Sequence, residues 1–165
     1  YSCPTSAPNV LVSCCGNIPG TADAAETHYT AVATHDTVYY ARALNGTGVM
    51  HLNSGHRVVD IRDGSSNTLI VAEYDFIDYT YETSCLPPNC NRGKLWASEN
   101  RVTTAHGINA NLAWIDAGIQ SNHMGGAQFC FADGHTDFLS ETIDQAVLEA
   151  LTTRASGEVI DASAY

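Results

Sequence analysis

The stretch Gln128-Phe129-Cys130-Phe131-Ala132, Asp133-Gly134, His135-Thr136-Asp137-Phe138-Leu139 constrains the fold more than any other part of the chain. Large and small residues alternate into an Asp-Gly pair, which is a strong short-range signal for an antiparallel hairpin. Ser140 then stands where an N-cap is needed, with Glu141 and Asp144 in the first turns and Ile143, Ala146, Val147, Ala150 and Leu151 at helical spacing. The spacing predicts a short amphipathic helix closed by Gly157. Hairpin followed by helix sets the class as α+β, with mainly antiparallel sheet and one short C-terminal helix.

Other strands are read from composition and turns. Thr68-Leu69-Ile70-Val71-Ala72-Glu73 is compact enough for a buried strand, entered from residues 57–61 through the turn Arg62-Asp63-Gly64-Ser65-Ser66-Asn67. Residues 29–33 and 37–43 are β-branched and aromatic, separated by His35-Asp36, and fit either short strands or irregular connections. Val10-Leu11-Val12 fits one strand inside a Cys- and Pro-rich N-terminal segment, residues 1–20. Residues 74–100 carry acids, tyrosines and prolines without a period, a long excursion of the kind that often does a domain's binding. Residues 158–165 form a tail able to lie along a sheet edge, its own or a neighbour's. At 165 residues the whole, 1–165, is one domain.

Charge excludes one class of partner. Eighteen acidic residues against seven basic ones, with Lys94 the only lysine, give a formal charge of −11, which repels nucleic acid. No stretch approaches the roughly 20 apolar residues of a membrane span. The chain begins at Tyr1, which reads as a processed or trimmed form.

Six cysteines, an even number without zinc or haem spacing, point to disulfides outside the cytoplasm. Cys85 and Cys90 bracket Leu-Pro-Pro-Asn, whose prolines pre-form a turn, and are expected to be bonded to each other. Adjacent Cys14 and Cys15 point apart in an extended strand and need different partners, with Cys3 nearest for one of them. Asn45-Gly46-Thr47 is the one glycosylation sequon in the chain.

Three segments in order, residues 60–68, Ala72-Glu73, and Ser121-Asn122-His123-Met124-Gly125-Gly126-Ala127 running to Phe131-Ala132-Asp133-Gly134, form a pattern. It resembles the planctomycete pilin-like family named for its His-X9-Asp-Gly motif, a domain of unknown function. Nine residues separate His123 from Asp133-Gly134, and Phe138-Leu139-Ser140 and residues 153–159 are similar to that family's ending. The resemblance implies a mostly β globular domain, exported and surface-associated, behind an N-terminal prepilin helix that this chain lacks; Met124 stands where the family has proline.

The chemistry-bearing residues admit two metal readings. Asp60, Asp63 and Asn67 place oxygen ligands on one loop, a set suited to calcium, and equally the residues of an ordinary capped turn. His123, Asp133 and His135 are a transition-metal set if they meet across the hairpin; otherwise His123 and Asp133 bond to backbone at its two ends. The remaining histidines share no spacing, and there is no nucleophile elbow, zinc-protease motif, P-loop or dinucleotide fingerprint, so the chain is not read as an enzyme. The expectation is an extracellular, self-associating structural subunit of a pilus-like filament or cell-surface assembly. The alternative is a surface-displayed module binding saccharide or peptide through residues 74–100, and the third reading is a metal-dependent enzyme.

Overall fold

A computed structural model describes residues 3–4, 27–36, 46–74, 101–110, 118–161, 163 and 165. The elements are β1 (Tyr29–Thr34), β2 (Leu69–Glu73), β3 (Arg101–Ile108), β4 (Gly118–Ile119), β5 (Gly126–Phe131), β6 (Thr136–Ser140) and α1 (Gln145–Thr152), with single 3-10 turns at Val58–Asp60 and Ser65–Asn67. The strands form one sheet in the order β4-β3-β1-β2-β5-β6.

The hairpin and its neighbour form as the sequence implies. β5 and β6 pair antiparallel from Gly126 opposite Ser140 to Cys130 opposite Thr136, and β2 pairs antiparallel with both β5 and β1. The other half of the sheet corrects the expectation of a mainly antiparallel sheet. β3 runs parallel to β1, and β4 parallel to β3, so the sheet is mixed. Because β2 runs opposite to β1, a chain that reverses after β2 runs parallel to β1; the long connection between β2 and β3 lets it cross to the far side of β1, whereas a tight turn would place it beside β2.

One face of the sheet carries the core. Val32, Ala72, Val102, Ala127, Phe129 and Phe131 meet Leu139, Leu148 and Leu151 there, and α1 packs against β3, β1 and β2. A register shift between Leu69 and Val71 lets Leu69 join Ala72 in this core although they are an odd number of positions apart. Threonines fill much of the rest: Thr104 and Thr152 are fully buried and share a 2.8 Å hydroxyl contact, while the Thr103 hydroxyl donates to the Asp36 carbonyl at 2.7 Å.

The helix starts later than expected. Ser140 is held extended by its pairing with Gly126, and Asp144 caps α1 instead, accepting from the Ala146 N–H at 2.8 Å. The helix ends at Thr152, so Gly157, at φ +85°, belongs to the loop beyond it. That loop is tied down from two sides. Asp63 accepts from the Thr153 hydroxyl and from the N–H groups of Ser156 and Gly157, and one Arg154 Nη1 donates to the carbonyls of Gly46, Thr47 and Gly48 at 2.8–2.9 Å. The last residue returns to its own core: Tyr165 stacks near Phe131 and donates to Asn67 at 3.1 Å.

Cys130 is a thiol, as is Cys3, so the expected disulfides are not found at either. Cys14, Cys15, Cys85, Cys90 and the sequon at Asn45 lie outside the described residues, as do the segments at 10–12 and 37–43 and the long excursion after Tyr74. No helix among the described residues is long and apolar enough to cross a membrane.

Candidate functional site

Glu73 is the last residue of an apolar strand, and it is fully buried. A carboxylate there is costly unless it is partnered. Cross-strand pairing puts Glu73 beside Tyr29, on the sheet face away from α1. Its Oε2 accepts from the Gln128 N–H at 2.8 Å and from the Ser121 hydroxyl at 2.7 Å. The same Ser121 hydroxyl accepts from the His123 N–H at 3.0 Å, which fixes the backbone that carries the imidazole. Oε1 has no hydrogen-bond partner among the described residues, and it lies 3.2 Å from His123 Nε2 without hydrogen-bond alignment.

Cys3 completes the group. Its Sγ lies 3.4 Å from the same His123 Nε2, and its backbone N–H donates to His28 Nδ1 at 2.9 Å, where the buried His28 immediately precedes β1. Tyr29 adds a phenol whose proton is held more tightly than usual. Burial is the largest cause, followed by the charges of Cys3 and Glu73 and a hydrogen bond to Cys3. Beside the cluster, Tyr29 and Gln128 also line a groove with Val71, Phe129, Cys130 and Thr136. The ring of Phe138 meets His123 edge-on at 6.4 Å.

This geometry separates two chemistries. In a nucleophilic relay the thiol and the carboxylate bind opposite nitrogens of the imidazole, so that one removes a proton while the other orients the ring. Here sulfur and carboxylate both converge on Nε2, leaving no relay. Sulfur, nitrogen and oxygen atoms that all lie within 4.8 Å of one another are instead an arrangement that can hold a cation.

The residues singled out by sequence are distributed otherwise. Asp133 and His135 do meet: Asp133 accepts from the His135 N–H at 3.0 Å and contacts His135 Nδ1 at 2.6 Å, across the turn. The ring of His135 stacks on Phe131 at 4.2 Å. His123 does not join them, because it precedes β5 while Asp133 follows it, and a six-residue strand separates its ends by roughly 15–20 Å. The hairpin therefore divides the expected transition-metal set. Asp133 does bond to backbone at its end of the hairpin, whereas His123 bonds to side chains.

On the other loop, each acid has its own partner. Asp60 accepts from the Arg57 N–H at 2.8 Å and contacts its guanidinium, Asp63 holds the loop after α1, and Asn67 accepts from Tyr165. Cys3 and Glu73 were missed as site residues since 120 positions separate Cys3 from His123. The one local signal was an acid closing an otherwise apolar run at Ala72-Glu73.

A single mixed sheet with a helix on one face and the Cys3, Glu73 and His123 cluster on the other defines an α+β domain among the described residues. The family model described as "Protein of unknown function (DUF1559)" matches residues 1–146, and the chain belongs to that family. No curated protein and no solved structure matches it.

Proposed function

We propose that this chain is the globular part of an extracellular structural subunit, one that associates with copies of itself in a pilus-like filament or cell-surface layer and has no catalytic role. The observation that carries the reading is the margin of the sheet at β6. That strand ends the strand order, and all its residues except Leu139 are exposed. Phe138 is 40% exposed on it, and Met124, in the turn two residues before the facing strand, is 98% exposed. Apolar side chains at a sheet edge suit a contact with another chain.

The ladder also indicates the form such a contact takes. Phe131 donates to the His135 carbonyl and Glu141 to that of Gly125, so Thr136, Phe138 and Ser140 turn their backbone groups outward. The Phe138 N–H is already occupied by the Asp137 carboxylate at 2.8 Å, so a neighbour meets side chains there before it meets an open ladder. Similarity to the pilin-like family and the acidic, lysine-poor composition support a place outside the cytoplasm. With a charge of −11 on each copy, association is expected to strengthen as salt screens the repulsion.

The test is negative-stain electron microscopy with light scattering on the natively exported protein, against a variant carrying Phe138→Asp and Met124→Asp. Ordered filaments or layers, lost in the variant while its thermal transition is retained, are expected. Dispersed monomers of the unmutated protein at every salt concentration overturn the reading. A calcium chelator added to the same samples tests the Asp60, Asp63 and Asn67 loop, since loss of order on chelation assigns calcium to the contacts.

A further inference from the structure

We propose that Cys3, Glu73 and His123 form a transition-metal site that takes Zn²⁺ through thiolate, carboxylate and imidazole. Two of the three ligand-atom separations are those the ion requires, and the third lies within 4.8 Å. Tetrahedral zinc with bonds of about 2.3 Å to sulfur and about 2.0 Å to nitrogen and oxygen sets its ligand atoms about 3.5 Å apart for S···N and about 3.3 Å for N···O. The corresponding separations here are 3.4 Å and 3.2 Å.

The second observation is Glu73 Oε1, a buried carboxylate oxygen without a hydrogen bond among the described residues, facing the same nitrogen as the thiol. A buried acceptor in that state is explained when a cation lies between it and its neighbours. The surroundings are those of a supported ligand set: Ser121 holds both Glu73 Oε2 and the His123 backbone, and His28 holds the Cys3 backbone. Three protein ligands leave one coordination position for water or an exogenous donor. The mixed soft and borderline donors favour zinc over calcium or magnesium. This site keeps the motif histidine, His123, and replaces Asp133 and His135 as its companions. It does not depend on self-association.

The experiment uses the full chain, stripped of metal and titrated with Co²⁺ as a spectroscopic probe, then with Zn²⁺ in competition. One equivalent is expected to bind, with a thiolate-to-cobalt charge-transfer band and the intense visible bands of tetrahedral Co²⁺. Cys3→Ser removes the charge-transfer band, and His123→Ala weakens binding by more than the roughly 10–100-fold that loss of an outer-shell partner costs. Cys130→Ser leaves the spectrum unchanged. As a readout independent of variant folding, Zn²⁺ slows alkylation of Cys3 in the unmutated protein, followed by mass spectrometry of its peptide. Absence of saturable binding, a charge-transfer band that persists in Cys3→Ser, or Cys3 alkylation unaffected by Zn²⁺ each overturns the site and leaves a hydrogen-bond network.

Discussion

Asp133 shows how much one side chain contributes to the turn that the sequence announces. Its carboxyl is held down to about 2, first by the backbone N–H of His135, then by the Ser66 hydroxyl and the His135 ring. An aspartate in the unfolded chain titrates near about 3.9, so between these values the unfolded state binds more protons. The stability this group supplies is fully present above the unfolded value and is lost as pH falls toward the folded one. Asp60, held down mainly by the Arg57 N–H, and Asp161, held down by Ser163, act in the same direction. Asp133→Asn is therefore expected to flatten the fall of melting temperature between roughly pH 4 and pH 2. An unchanged slope in a pH series of thermal melts would remove Asp133 from the acid response.

At the scale of elements, the β5–β6 pair rests on one close approach. A β-carbon on Gly126 would collide with the Leu139 carbonyl oxygen and come within 2.8 Å of the Phe138 ring. Gly126→Ala is expected to cost about 1–3 kcal/mol, the range for overpacking, read as a lower urea midpoint at unchanged slope. A midpoint equal to that of the parent would show that β6 shifts without cost. This hairpin was legible because its code is local: alternation, Asp-Gly and the facing run lie within a dozen residues. β2 was legible as an apolar run, and residues 29–33 as one of two readings, now β1. β3 was not, although it pairs on both sides within the sheet, because Thr103 and Thr104 occupy buried positions in it. Their hydroxyls are satisfied by Asp36 and Thr152, distant in sequence, so nothing local distinguishes them from a polar loop. The site was hidden for the same reason. His123 was among the residues singled out in the sequence, but its partners arrive from the N-terminal segment and from the end of β2.

For the whole molecule, the folding unit extends past the region that the family model matches. The match ends at residue 146, one residue after α1 begins, yet the remainder of the helix and the loop beyond it close the core. Leu148 and Leu151 are fully buried against the sheet, and burying such side chains stabilises a fold by about 1.5–3 kcal/mol each. Residues 152–157 add the Thr104 contact, the Arg154 bonds to the carbonyls of Gly46, Thr47 and Gly48, and the Asp63 bonds to Ser156 and Gly157. Removing them leaves carbonyls, a carboxylate and one apolar sheet face exposed together. Against a net stability of about 5–15 kcal/mol for a domain, that loss is comparable to the whole. A chain ending at residue 144 is therefore expected to show no cooperative urea transition by far-UV circular dichroism, while the full chain shows one. A truncated chain that unfolds at the parent midpoint would mean that the sheet alone is the stable unit and that α1 only rests on it.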